Sequence, residues 1–258
     1  MRLIKNIVYW LDGVLLCGWL KRYRDSIFDK HFFSDIEQDL DGKITINYRR
    51  NKANELSNLC DKYGSDKGSN TEEGHPYQWA PHSYADFYTM LFQHRRNEVH
   101  AVFECGIGTT SNIIPSNMGV DGRPGASLRV WRDYFPFANI CGVDIDRNIL
   151  FEESRIKTFF MDQTDSAVIK KTFSEIGDVL FDVMIDDGLH TFDAGRVLFE
   201  SAWVRIAPGG VYIIEDVGRD DLRKYKKHFE LTSFDISYVS LKRAHERFGE
   251  HNLIVIKN

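Results

Sequence analysis

Five short apolar runs, each ending in glycine or an acid, restrict this chain more than any other feature. They are VHAVFECGIG at 99–108, NICGVDI at 139–145, KTFFMDQ at 157–163, DVLFDVMIDD at 178–187 and GVYIIEDV at 210–217. Runs of this kind read as strands buried on both faces, which is how parallel strands covered by helices look in sequence. Helix-like segments separate them at 127–135, 165–176 and 192–206. The alternation predicts an α/β chain: a doubly wound, mostly parallel sheet with ligands at the carboxyl ends of its strands. A helix near 219–229 and two last strands, FDISYVSL and NLIVIK, are expected to finish the sheet edge as an antiparallel hairpin.

The alternation begins near residue 96, so the chain divides into an N-terminal helical and lid region, 1–95, and an α/β domain, 96–258. Residues 47–82 are polar and broken by Gly64, Gly68, Gly74, Pro76 and Pro81, a composition that suits a linker or a lid over the ligand edge. The apolar run at 7–20 is shorter than the ~20 residues that span a bilayer, and Asp12 interrupts it. It reads as a packing or self-association helix, which makes a homo-oligomer an expectation. The basic flanks beside Trp10 and Trp19 also suit a peripheral membrane contact, without stable insertion. A net charge of -5 gives no general attraction for phosphate backbones, so a nucleic-acid partner is not expected. The four cysteines are scattered and form no CxxC pair, in keeping with a reducing, cytoplasmic setting.

The first strand ends Glu104-Cys105-Gly106-Ile107-Gly108, and the third glycine of a dinucleotide fingerprint is absent. Glycines let a backbone approach a ligand without a Cβ in the way. Asp144, at the end of the next strand, can accept both hydroxyls of a ribose, and Glu104 can sit near a cationic amine. Asp162 can accept from an adenine amino group, with Gln163 beside it. A pyrophosphate has no use for Glu104, whereas S-adenosylmethionine carries an ammonium and no phosphate. A nicotinamide-dependent dehydrogenase is the competing enzyme reading, favoured by the GxG and disfavoured by Glu104. An inactive cofactor-binding partner subunit is the reading outside catalysis.

The fourth run delivers Asp186, Asp187 and His190 to one edge. Taken alone, IDDGLH is equally a helix-capping loop. Glu215 and Asp216 on the next strand end shift the balance toward a site.

In order along the chain, YGSDKGS, HSYADFY, ECGIGTTS, PGASLRVWRDYFP, GVDID, MDQTD, IDDGLH and APGGVYIIEDV resemble the class I S-adenosylmethionine-dependent methyltransferases. Within them the series is similar to the metal-dependent sugar O-methyltransferases of antibiotic tailoring and their capsular-polysaccharide relatives. The resemblance covers about residues 60–217. It implies that Glu104, Gly106 and Gly108 face the methionine part of the cofactor, with Ser127 close by, that Asp144 holds the ribose and that Asp162 reads the adenine. It also implies that Asp187, Glu215 and Asp216 bind magnesium and that His190 takes a proton. Some relatives carry two aspartates where this chain has Glu215 and Asp216, which leaves the share of Glu215 open.

That chemistry has a physical reason. A sugar hydroxyl holds its proton tightly at neutral pH, so the work falls on the acceptor side. A hard cation held by carboxylates lowers the pKa of bound hydroxyls, and a histidine titrates near working pH. Asp186 is a further candidate for the metal, for the cofactor's methionine end or for the base. The expected reaction is methyl transfer to a hydroxyl on a small-molecule, nucleotide-linked, natural-product or glycan-linked sugar. A phosphoramidate or other non-sugar oxygen is the alternative acceptor.

Overall fold

The structure, a computed structural model, describes residues 44–48, 54–68, 75–77, 79–243 and 252–258. The apolar run at 7–20, and with it the expected self-association and membrane contacts, lies outside the described residues. Among the described residues no helix is long and apolar enough to cross a membrane.

One sheet organises the molecule. In chain order its strands are β1 (Ile44–Tyr48), β2 (Ala101–Cys105), β3 (Asn139–Asp144), β4 (Glu152–Glu153), β5 (Ile156–Phe160), β6 (Phe181–Asp186), β7 (Ile206–Ile214), β8 (Asp235–Arg243) and β9 (Asn252–Lys257). In space they lie in the order β1-β8-β9-β7-β6-β2-β3-β5-β4. The central five, β7, β6, β2, β3 and β5, are parallel neighbours, while β9 runs antiparallel to both β7 and β8.

Six helices cover the sheet: α1 (Glu55–Tyr63), α2 (Tyr84–Phe92), α3 (Ala126–Tyr134), α4 (Ser166–Ile176), α5 (Phe192–Ala202) and α6 (Arg219–Phe229). Successive strand residues point to opposite faces, and the strands split accordingly. Val102, Ile140, Val183, Ile185 and Ile213 pack with α1, α2 and α3. Phe103, Cys141, Val143, Met184 and Tyr212 pack with α4, α5 and α6. Because both faces are covered, β2 is buried along its whole length, which explains the unbroken apolar runs.

The helix ends have local causes. Asn54 caps α1 by accepting from the amides of Leu56 and Ser57, and Gly64 ends it at φ 82°. Asp165 caps α4 in the same manner through Ala167 and Val168, and Thr191 caps α5.

Two elements depart from the sequence expectation. The stretch expected to be linker or lid contains α1, whose Leu56 and Cys60 belong to the core shared with α3. The closing hairpin forms, but β8 is not the edge: β1 pairs with it in parallel.

The chain leaves β2 toward β3 and β5 on one side, then returns to β6 and β7 on the other. That reversal opens a crevice at the carboxyl ends of β2 and β6, where open α/β sheets bind ligands. The ladder runs one residue past the strands there: Gly106 donates to the Val143 carbonyl (2.9 Å), Asp187 to Cys105 (2.9 Å) and Glu215 to Asp186 (3.0 Å). The loop residues at this edge therefore start from fixed positions.

Candidate active site

A cavity of about 680 Å³ opens over this edge, within the ~300–1,000 Å³ typical of small-molecule sites. Gly106, Gly108, Asp144, Asp162, Gln163, Asp187, His190 and Asp216 all line it. The loop carrying Ile113, Ile114, Pro115 and Met118 forms one apolar wall, and Asp66, Trp79 and His82 line it from the N-terminal part of the chain.

Gly106 and Gly108 both sit at φ 85°, where an L side chain is strained. A Cβ on Gly106 would run into the Asp187 carbonyl and come within 2.8 Å of the Gly188 Cα. Glycine is what allows the β2 and β6 loops to meet. Asp144 is 6% exposed, its Oδ2 accepting from the Ile107 amide and its Oδ1 from the Asp146 amide, both at 2.9 Å. Burial raises its pKa against those two amides. Asp162 accepts from the Thr164 amide (2.9 Å) and hydroxyl (2.6 Å), which holds its carboxylate at the cavity rim. Gln163 bridges two loops: its Nε2 donates to Asp186 at 3.1 Å and its Oε1 accepts from the Leu189 amide at 2.7 Å.

Four residues expected at the ligand stand behind the cavity wall instead. Glu104 shares the sheet face of Val102, so it points into the α1 to α3 layer, is 0% exposed and accepts from the Trp131 indole at 2.9 Å. Burial pushes its carboxyl up to about 7, against the pull of Lys67. Ser127, in the first turn of α3, does not line the cavity. Asp186 shares the opposite face with Met184, is 3% exposed and borders a separate small cavity beside Tyr225. Burial raises its carboxyl to about 6. Glu215, expected to bind the metal, is 1% exposed. It receives Lys67 Nζ at 2.5 Å and the Tyr88 hydroxyl, and does not line the cavity.

Asp187 and Asp216 do face the cavity, each bound to a histidine. His190 Nε2 lies 3.3 Å from Asp187 Oδ1, and His82 Nδ1 lies 3.1 Å from Asp216 Oδ1, which also accepts from the Tyr84 hydroxyl. Burial opposes the charge on both rings, but the carboxylates prevail. His190 rises to about 9 under Asp187 and Asp216, and His82 to about 10 under Asp216 and Asp66. One ligand atom each from Asp187, His190 and Asp216 lies within 4.8 Å of the others, a donor set that can surround one divalent cation.

Among the described residues four non-glycines have positive φ, and three of them are here: Ser83 (64°), His190 (57°) and Asp216 (51°). Strained backbone of this kind persists where the surroundings over-determine it, which is common at functional sites.

Lys67 was not among the expected site residues, and His82 entered the sequence reading only within HSYADFY. Their signal lay in YGSDKGS and HSYADFY, and no sequence spacing shows that the two segments pair. In the structure, the His82, Ser83 and Ala85 amides donate to the carbonyls of Asp66 (2.7 Å), Gly68 (2.8 Å) and Lys67 (2.8 Å).

The strand order and the crevice are those of the class I S-adenosylmethionine-dependent methyltransferases. The solved MycE methyltransferase of the mycinamycin biosynthetic pathway, in complex with Mg, SAH and mycinamycin VI, matches with a TM-score of 0.54 at 25% identity, over 80% of this chain and 55% of that one. No family model matches the chain. In sequence the chain is similar to sugar O-methyltransferases. The 8-demethyl-8-alpha-L-rhamnosyl tetracenomycin-C 2'-O-methyltransferase of Streptomyces olivaceus is 32% identical over 164 residues, 63% of this chain and 37% of that protein. Demethylmacrocin O-methyltransferase of Streptomyces fradiae is 35% identical over 136 residues, 53% of this chain and 32% of that protein. The matches thus span well under half the length of these relatives.

Proposed function

We propose that the chain is an S-adenosylmethionine-dependent O-methyltransferase that methylates a sugar hydroxyl with the help of a divalent cation, magnesium. The observation that carries this reading is the convergence of Asp144, Asp187, His190 and Asp216 on one cavity beside the two positive-φ glycines. The fit to the cofactor rests on that glycine cradle, which a Cβ would fill, and on Asp144 as ribose acceptor. Asp162 and Gln163 stand at the adenine end. The fit to the metal rests on the carboxylates of Asp187 and Asp216, whose ligand atoms lie within 4.8 Å of one another beside His190; a cation bound there would supply Lewis-acid polarisation of the acceptor hydroxyl.

The residues of the chain do the rest. A cation on Asp187 and Asp216 would offset the charges that hold His190 protonated, and the neutral ring, oriented by Asp187 through Nε2, would then offer Nδ1 to the acceptor hydroxyl proton. With S-adenosylmethionine bound, the carbon–oxygen bond would form as the carbon–sulfur bond breaks, S-adenosylhomocysteine being the leaving group.

The lining favours an uncharged acceptor. Among the described lining residues are five aspartates and no lysine or arginine, beside the apolar Trp79, Ile113, Ile114 and Met118. A sugar carried on an apolar natural product or on a glycan suits that surface better than a sugar nucleotide, whose diphosphate would meet five carboxylates against two histidines. A cytoplasmic setting is part of the proposal, supported by three described cysteines that are free and buried.

The test is transfer of labelled methyl from S-adenosylmethionine to neutral glycosides and to sugar nucleotides, with and without chelator. Chelator-sensitive transfer to a neutral glycoside is the expected result, and transfer that survives complete chelation would remove the metal from the reading.

A further inference from the structure

Trp79 is half-buried and lines the cavity from the N-terminal part of the chain, yet it takes no part in the transfer described above. Its orientation is fixed. The indole Nε1 donates to Asp66 Oδ2 at 2.8 Å, and the ring is backed by Tyr77, which is 3% exposed, with centroids 5.7 Å apart and planes at 32°. His75 in turn stacks on Tyr77 at 4.3 Å and 16°. Residues 75, 77 and 79 thus form a row of three rings, of which Trp79 is the one that lines the cavity. Asp66 Oδ2 lies 3.9 Å from His82 Nε2, and His82 Nδ1 lies 3.1 Å from Asp216 Oδ1. The indole is therefore joined through two side chains to the acids at which the acceptor hydroxyl is to be activated.

A pyranose has two kinds of surface. Its hydroxyls point outward around the rim, while its faces carry C–H bonds, so an aromatic ring can cover a face without leaving a desolvated hydroxyl unpaired. The faces of an indole are electron-rich and attract the positive ends of those bonds. We infer that Trp79 is the specificity-determining platform of the acceptor site: the sugar ring lies face-on to the indole, with a rim hydroxyl on Asp66 and the reacting hydroxyl toward Asp187 and Asp216. This rests on the sugar O-methyltransferase reading above. The sugar takes this place, and not the group it is carried on, because the indole is tied through Asp66 and His82 to Asp216. The carried group is left to the loop of Ile113, which lines the cavity while 87% exposed and so stands at its mouth.

The experiment measures methyl transfer from S-adenosylmethionine, with magnesium, to paired methyl and phenyl glycosides of rhamnose, fucose, mannose and glucose, in the full chain and in its Trp79→Ala and Trp79→Phe variants. Trp79→Ala is expected to raise KM about tenfold for methyl and phenyl glycosides alike, with kcat and S-adenosylmethionine affinity within about threefold of wild type. Trp79→Phe keeps an aromatic face but not the bond to Asp66, and its KM is expected to stay within about threefold of wild type. With S-adenosylhomocysteine bound, the same glycosides should shift the tryptophan emission of the wild type and leave that of Trp79→Phe unchanged. A KM rise confined to the phenyl glycosides would put the carried group on the indole and overturn the proposal. So would an unchanged KM in Trp79→Ala, an equal loss in both variants, which would make the Asp66 bond the source, or an emission shift that survives in Trp79→Phe. The last of these decides the matter should Trp79→Ala fail to fold. A wild-type chain that methylates none of the glycosides would remove the sugar reading itself, and the proposal with it.

Discussion

Gln163 and Asp186 are joined by a 3.1 Å hydrogen bond across the carboxyl edge, and the same glutamine accepts the Leu189 amide at 2.7 Å. The end of β5 thereby clamps the loop that carries Asp187 and His190. Removing the amide in Gln163→Ala leaves a half-buried amide and a buried carboxyl each short of a partner. It is expected to cost about 1–3 kcal/mol of stability and to lower methyl transfer more than cofactor binding. Urea unfolding alongside turnover checks this, and unchanged turnover would show that the clamp is dispensable to the loop.

Gly106 gives a sharper backbone test. Gly106→Ala adds the strain of left-handed backbone, about 1–2 kcal/mol, and sets a methyl against the Asp187 carbonyl. The β2 and β6 loops must separate, so S-adenosylmethionine affinity is expected to fall with stability. Calorimetry on the folded variant measures it, and full affinity would mean that the cradle does not hold the cofactor.

Asp144 is expected to carry the ribose. Asp144→Ala should weaken S-adenosylmethionine binding by about 1.5–3 kcal/mol, the range for hydrogen bonds to a charged group. The variant also loses the caps on Ile107 and Asp146, so the titration belongs at a temperature where it remains folded. Wild-type affinity there would remove the ribose assignment.

The acid pair and the histidine should fail differently. Asp187→Asn and Asp216→Asn are expected to lose activity that excess magnesium partly restores, because a weakened site still fills by mass action. His190→Ala should keep its cofactor affinity and lose about 10²- to 10⁴-fold in turnover, the usual worth of general-base help. Rates across magnesium concentration separate the two classes, and a His190→Ala chain at the wild-type rate would assign the proton to another group.

Asp133 yields a pH dependence away from the site. It accepts from Tyr63 (2.5 Å), Arg132 (2.9 Å) and Lys62 (3.2 Å), joining α1 to α3. Burial raises its pKa, but these three donors outweigh burial and hold the carboxyl below its usual value. A depressed folded pKa contributes stability above the unfolded value, about 3.9 for aspartate, and that stability is lost as pH falls through the folded value. Asp133→Asn should therefore cost about 1 kcal/mol at pH 7 and progressively less below about pH 4. Equal losses in urea melts at pH 7 and pH 3 would show that the charge is not the source.

The parallel strands and the helices after residue 96 were legible because burial on both faces writes an unbroken apolar run, and because the helix caps are local. Helix α1 was legible in principle: Leu56, Leu59, Cys60 and Tyr63 recur at helical spacing between an Asn cap and Gly64. The surrounding polar residues and turn formers masked it. Asp187 and Asp216 stood out as acids at strand ends. What local sequence does not carry is which way an acid turns. Glu104 and Glu215 meet Lys67, 148 residues before Glu215, in a pairing that no local pattern encodes.

Strand β9 lies inside the sheet, between β7 and β8. Its Asn252 accepts the Val217 amide at 3.0 Å and returns its side-chain amide to the Val217 carbonyl at 2.8 Å, one residue beyond Asp216. A ribosome making this chain would have β2 through β7 free to pair long before β9 emerges. The seat of Asp216 would still wait for residues 252–258. A growing chain could thus hold a folded cofactor cradle while unable to grip a metal, and competence would arrive late, in one step, with the insertion of a strand between two already waiting for it.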